Sequence, residues 1–213
     1  MLIKPPVDAL IFDMDGTLWD AVETYAQSWN EYFKQHGITR HISKADIQGY
    51  MGLEAAAYLE KVLPANSIEE RIAIYKEVVV IQYQLIAAVG GTLYNGVIEG
   101  LQALSKKYKL FIVSNCPAHT IHYFIQWANI GGLITDTVAH GQTGKPKCEN
   151  IQLLIEKYTF QSPVYIGDTN GDAVQSRLAK VPFVFVDYGF GSSTDYVARF
   201  SSFTALADYF LAL

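Results

Sequence analysis

Four short apolar runs recur along the chain with no polar residue alternating through them: 9–12 (Ala-Leu-Ile-Phe), 110–113 (Leu-Phe-Ile-Val), 164–166 (Val-Tyr-Ile) and 183–186 (Phe-Val-Phe-Val). A strand with one face in water would alternate, so these runs predict strands covered on both faces, as in a parallel sheet. Between the last three, residues 120–129, 150–158 and 172–179 carry apolar positions at helical spacing. Strand and helix in repetition predict an α/β fold, a doubly wound parallel sheet with helices on both faces.

The first crossover breaks this rhythm. About a hundred residues separate the first two strands, where a crossover of a dozen or so would suffice. Residues 19–92 read as helical: 21–36 up to Gly37, 44–49, 53–63 up to Pro64, and a long segment opened by Ser67 and Glu70 at capping-box spacing. The expected organisation is a core of residues 1–18 and 93–213 with residues 19–92 inserted as a helical cap. Residues 93–107 return the chain to the core through a short turn and a helix.

Composition narrows the partners. Half of the 213 residues are hydrophobic, enough to bury a core without disulfides or a structural metal. The net charge of −5 and the lack of a basic run argue against nucleic acid or an anionic membrane surface as partner. Cys116 and Cys148 are too few for a disulfide framework and fit a reducing compartment. The N-terminal residues lack the hydrophobic region and cleavage site of a signal peptide. Apolar stretches are broken short of the ~18 residues a membrane span needs. The expectation is a cytoplasmic protein, a monomer or small homo-oligomer, acting on a small anionic substrate.

Candidate chemistry clusters where the predicted strands end. Asp13-Met14-Asp15-Gly16-Thr17-Leu18 follows the first run, and carboxylates one residue apart repel unless a cation or a division of labour justifies them. Gly16 lets the backbone approach an anion, and Thr17 adds a hydroxyl donor. Ser114 and Asn115 follow the second strand, and Gly167-Asp168-Thr169-Asn170-Gly171-Asp172 follows the third. Lys145-Pro146-Lys147 sets two lysines at a helix start. In open α/β sheets ligands bind at the carboxyl ends of the strands, the edge where these turns gather.

The order and spacing of four motifs, Asp-x-Asp-Gly-Thr at Asp13, Ser114, a lysine, and Gly-Asp-Thr-x-x-Asp at Asp168, resemble the haloacid dehalogenase superfamily. The resemblance covers nearly the whole chain, and the insert is similar to the helical cap of that family's phosphoglycolate phosphatase and β-phosphoglucomutase-like branch. Asp15 favours phosphate chemistry, because the dehalogenases of the family generally lack it. The family pattern leaves the lysine open: Lys145-Pro146 matches one form, while Lys147 before Glu149-Asn150-Ile151 matches another and is preferred here.

The resemblance implies a magnesium-dependent phosphohydrolase for a small phosphorylated metabolite. In it Asp13 is the nucleophile and Asp15 the acid and base. Asp13, the main-chain carbonyl of Asp15, and Asp168 are the metal ligands. Thr17, Ser114, Asn115 and Lys147 or Lys145 are the phosphate binders, with Asp172 supporting from behind. Specificity is expected in the cap, with the 49–52 loop (Gly-Tyr-Met-Gly) reaching toward the site and Trp19, Asp20 and Tyr25 near the hinge. A phosphosugar mutase would share every core residue, and a non-catalytic phosphate sensor would have no need of the Asp13 and Asp15 pair.

Overall fold

The computed structural model describes residue 3 and residues 6–213; positions 1, 2, 4 and 5 of the expected core lie outside the described residues. The chain enters through β1 (Ala9–Phe12) and β2 (Trp19–Asp20). Four helices follow, α1 (Val22–Gln35), α2 (Lys44–Tyr50), α3 (Ala55–Val62) and α4 (Ile68–Val89). Next come β3 (Thr92–Leu93), α5 (Val97–Leu104), β4 (Lys109–Ser114), α6 (Thr120–Ala128), β5 (Asp136–Ala139) and the single turn α7 (His140–Thr143). The remainder is α8 (Lys147–Tyr158), β6 (Pro163–Gly167), α9 (Asn170–Leu178), β7 (Phe183–Val186), β8 (Ala198–Phe200) and α10 (Phe203–Ala212).

Six strands form one parallel sheet in the order β5-β4-β1-β6-β7-β8. Central β1 is buried along its whole length, and its side chains alternate between two cores. Leu10 and Phe12 join the side that also holds Leu101, Phe124 and Phe210 from α5, α6 and α10. Ala9 and Ile11 join the side covered by Ile151 and Leu154 of α8 and Ala173 of α9. Burial of each large side chain here contributes about 1.5–3 kcal/mol, which explains why apolar runs without alternation make these strands.

The sheet is wider than the four runs predict. Edge strands β5 and β8 are only partly buried and carry Asp136, Thr137 and Arg199, so no continuous apolar run marks them. No strand between Trp19 and Thr92 joins the main sheet; β2 and β3 pair antiparallel with each other, Trp19 opposite Leu93. The first three helices of this stretch begin and end within two residues of the expected positions, and α4 begins at Ile68, directly after Ser67. Ser67 and Glu70 do form the capping box, with Ser67 N donating to Glu70 Oε2 at 2.8 Å and Glu70 N to Ser67 Oγ at 3.2 Å. A second box, Ser43 with Asp46, starts α2.

The membrane expectation needs one revision, because α4 is long and apolar enough by length and composition to cross a bilayer. In this fold it packs on α1, α3 and α6, burying Val78, Gln82 and Ile86. It stops at Gly90, whose φ of +65° suits glycine and where a Cβ would fall 1.9 Å from the Trp127 ring. That contact fixes where the chain leaves α4 for the β2–β3 ribbon. Trp19 of the ribbon is fully buried with its ring 4.6 Å from that of Phe124.

Candidate active site

At its carboxyl end β1 hands over to a tight turn. Asp13 N still donates to Ile166 O of β6 at 2.8 Å, holding Asp13 in register with the sheet before the chain bends. Met14 O then accepts from Leu18 N at 2.9 Å, and Gly16 N donates to Trp19 O at 2.9 Å. Gly16 adopts φ +82°, and a Cβ there would stand 2.2 Å from Asp168 Oδ2. Glycine is therefore what allows the first acidic turn to lie directly against the second.

The second turn is organised by a helix cap. Thr169 caps α9, its Oγ1 accepting from Asp172 N at 3.1 Å, while Asp172 Oδ2 accepts from Thr169 N at 3.0 Å. The other oxygen, Asp172 Oδ1, accepts from Lys147 Nζ at 2.6 Å and from Tyr165 OH at 3.3 Å. Lys147, the first residue of α8, reaches on to Asp13 Oδ1 at 2.9 Å. The ammonium thus bridges the ends of β1 and α9 with only 5 % of its side chain exposed.

The electrostatics of this cluster are unbalanced. Asp13, Asp168 and Asp172 bring carboxylate oxygens within 4.8 Å of one another, all three buried. Burial pushes the Asp13 carboxyl well up, against the pull of Lys147 and with the help of Asp172 and Asp168. Burial, then the Asp172 charge, raises Asp168 to about 7. Burial also works against the Lys147 ammonium, but Asp13 and Asp172 outweigh it and hold the lysine charged.

Three buried carboxylates around one ammonium, all hard oxygen donors, suit a divalent cation such as magnesium. Asp172 has both oxygens committed to Lys147, Tyr165 and Thr169. Asp13 keeps one oxygen without a hydrogen bond among the described residues, and Asp168 Oδ2 is fixed by Phe190 N at 2.7 Å. Asp13 and Asp168 are therefore the carboxylates best able to take the ion.

Asp15 stands apart from that cluster in its partners. Its Oδ1 accepts from Tyr25 OH at 2.8 Å and from Trp19 Nε1 at 3.0 Å. Burial nevertheless raises its carboxyl to about 6, the two donors opposing. A carboxyl held there can give up or take a proton near neutrality.

Ser114 and Asn115, at the end of β4, line the same cleft as Asp13, Asp15 and Lys147. Asp168 and Asp172 do not line it but stand within 4.8 Å of Asp13, and two further candidates, Lys145 and Thr17, do not reach it. Lys145 points outward, 47 % exposed, with Nζ 3.6 Å from Glu149, because its carbonyl is held by Asn150 Nδ2 at 3.1 Å and Pro146 turns the chain before α8. Thr17 is fully buried beneath Asp168, its Oγ1 3.5 Å from Asp168 Oδ1, and is absent from the cleft wall. The turn that brings Gly16 against Asp168 carries Thr17 under it.

From the other side, Tyr50, Met51 and Gly52 line the cleft, and a Cβ on Gly52 would come 3.3 Å from Thr169 Cγ2. The loop after α2 therefore lies against the turn after β6. Two supports escaped the sequence reading. Phe190, which fixes Asp168 through its backbone, lies in a Gly-Phe-Gly segment just past β7, a spacing that signals close backbone approach. Tyr165 reads as an ordinary strand residue until its hydroxyl is seen at Asp172.

Comparison with known proteins agrees with this architecture. A phosphoglycolate phosphatase of Rhodobacter capsulatus is 28% identical over 93% of this chain and 94% of its own. Pyrophosphatase PpaX of Listeria monocytogenes is 26% identical over 82% of this chain and 80% of its own. A haloacid dehalogenase-like hydrolase from Bacteroides fragilis superposes with a TM-score of 0.82, at 19% identity, over 94% of this chain and 99% of its own. The model of the haloacid dehalogenase-like hydrolase family matches residues 10–186, and the chain belongs to that family.

Proposed function

We propose that this chain is a magnesium-dependent phosphohydrolase that cleaves a small phosphorylated metabolite through an aspartyl phosphate on Asp13. The observation that carries the reading is the division between two carboxyls at one cleft. Asp13 is held by Lys147 beside Asp168, while Asp15, raised to about 6, is held separately by Tyr25 and Trp19. The names of the two sequence relatives, a phosphoglycolate phosphatase and a pyrophosphatase, support a small phosphorylated substrate.

Asp13 attacks phosphorus with a carboxylate oxygen, and the bond from phosphorus to the leaving oxygen breaks with its electron pair going to that oxygen. Asp15 gives its proton to the leaving oxygen. Asp15 then takes a proton from water as that water attacks phosphorus, and the bond to Asp13 breaks to release inorganic phosphate. Lys147, Ser114 and Asn115 face the oxygens on which charge spreads. Magnesium, held by Asp13, Asp168 and the Asp15 carbonyl, would supply positive charge against the repulsion between carboxylate and phosphate. Asp172 fixes Lys147, and Thr17 supports Asp168 from beneath. Residues 19–92 act as a cap that shields the intermediate and selects the substrate, on a core of 1–18 and 93–213.

The test is phosphate release from p-nitrophenyl phosphate and a panel of phosphorylated metabolites with magnesium, combined with acid quenching of a labelled substrate. Label should be recovered on Asp13. Label on another residue would sink the assignment, and an isomerised sugar phosphate as main product would move the reading to a mutase.

A further inference from the structure

The cap side of the cleft is uncharged, built from apolar residues such as Met51 and Leu53, from tyrosine rings and from Gln82. Tyr75 and Gln82 lie seven residues apart on α4, two turns along one face, and both line the cleft. Gln82 falls between Val78 and Ile86 on the buried stripe of that helix, a place where packing alone would select a leucine. It is 6 % exposed, and its amide makes no side-chain hydrogen bond among the described residues. Among the described residues the enclosed side-chain atom without a partner is Thr120 Oγ1, so the Gln82 amide keeps access to the cleft, where a bound ligand can replace water on it.

The Tyr75 hydroxyl likewise takes no hydrogen bond among the described residues. Its ring is fixed, stacked on Trp29 at 6.0 Å and 9° and packed 5.9 Å from Tyr58. Tyr58, which also lines the cleft, accepts from Trp29 Nε1 at 2.7 Å and keeps its own proton to donate. Two hydroxyls and an amide on a rigid aromatic wall match a ligand that is rich in hydroxyls.

Charge gives a second, independent indication. Among the described residues the only cation lining the cleft is Lys147, and its three donors serve Asp13, Asp172 and the reacting phosphate, leaving none for a second anion. The N-terminus of α3 reaches the rim at Ala55, but Glu54 occupies its cap position and opposes a second anion there. Phosphoglycolate carries a carboxylate beside its phosphate, and pyrophosphate carries a second phosphoryl group. Either would place an unpaired negative charge against this wall, near Asp15.

Resting on the phosphohydrolase reading, we infer that the substrate is a phosphomonoester with an uncharged, hydroxyl-bearing leaving group, and that Gln82 and Tyr75 are the cap residues that bind it. The two anionic compounds in the relatives' names are poor substrates for this chain.

The test uses the full chain with magnesium and compares kcat/KM for glycerol 3-phosphate, sorbitol 6-phosphate, 2-phosphoglycolate and pyrophosphate. p-Nitrophenyl phosphate serves as a substrate without hydroxyls on its leaving group. The best neutral ester should exceed both anionic compounds by at least about tenfold, the scale of one well-placed hydrogen bond. Gln82→Leu should lower the ratio of that ester to p-nitrophenyl phosphate by about tenfold, mainly through KM, without lowering Tm, since a buried amide gives way to an apolar side chain. A purely packing role for Gln82 would change Tm and leave the ratio alone. Gln82→Lys should swing preference toward 2-phosphoglycolate. A wild type that prefers 2-phosphoglycolate or pyrophosphate, or an unchanged ratio in Gln82→Leu, would overturn the inference while p-nitrophenyl phosphate turnover kept the phosphohydrolase reading standing. No turnover of any ester would overturn both.

Discussion

Truncating Lys147 to alanine takes from three buried carboxylates the ammonium that bridges two of them, at 2.9 Å from Asp13 and 2.6 Å from Asp172. Removing one partner of a buried ion pair costs about 3–5 kcal/mol, because the remaining charge is left without compensation. Asp13, whose carboxyl burial already pushes up against the pull of Lys147, would respond by holding a proton, and a protonated Asp13 is a poor nucleophile. Turnover should fall by roughly 10² to 10³ for the lost transition-state donor alone. Lys145 is the internal control, two residues away, 47 % exposed and paired among the described residues only with Glu149. An exposed pair of that kind contributes about 0–1 kcal/mol, so Lys145→Ala should unfold and turn over nearly as the wild type does. Stability is read by guanidinium chloride unfolding in chelator, so that bound metal does not mask the loss of charge balance, and kcat from p-nitrophenyl phosphate hydrolysis with magnesium. Lys147→Ala within about 0.5 kcal/mol of the wild type, or a crippled Lys145→Ala, would refute the argument from burial and pairing.

Asp13→Asn should keep the fold, since an amide fills the same space and can still accept from Lys147, while kcat drops by roughly 10⁴ or more as for the loss of a nucleophile. Circular dichroism and phosphate release read the two halves of that statement separately. Chelation should abolish phosphate release, and magnesium at 100 times its Kd should return activity and add about 2.7 kcal/mol of stability, visible as a rise in Tm. Full turnover in excess chelator would contradict the metal assignment. Gly16→Ala forces a side chain into φ +82° and a Cβ to 2.2 Å from Asp168 Oδ2. It should cost about 1–3 kcal/mol in backbone strain and weaken magnesium binding in a titration followed by Tm, while an unaffected titration would show that Asp168 is not held by this turn.

The features the sequence reveals are those whose causes are local. A strand buried on both faces needs apolar residues at every position, so β1, β4, β6 and β7 appear as uninterrupted runs. Edge strands need only one covered face, and β5 and β8 went unread for that reason. Capping is also local, and Ser67 with Glu70 is visible three residues apart before any fold is known. The oversized first crossover follows from the chain length between two runs, and the acidic turns are visible because each directly follows a strand.

Distances across the chain are another matter. Which lysine of Lys145-Pro146-Lys147 enters the site depends on where α8 begins relative to β1 and α9, and a charge count at that tripeptide carries no such information. Thr17 has a residue type suited to phosphate but sits under Asp168, because the Gly16 turn rotates it inward. Asp15 looks like its neighbour Asp13 until Tyr25 and Trp19, brought round by α1 and the β2–β3 ribbon, are seen to hold it. Gln82 reads as one polar residue in an apolar helix, and only the packing of α4 against α1, α3 and α6 brings it to the cleft. Periodicity and caps are set by neighbours in sequence, whereas the partners of a buried polar group are set by which elements pack together.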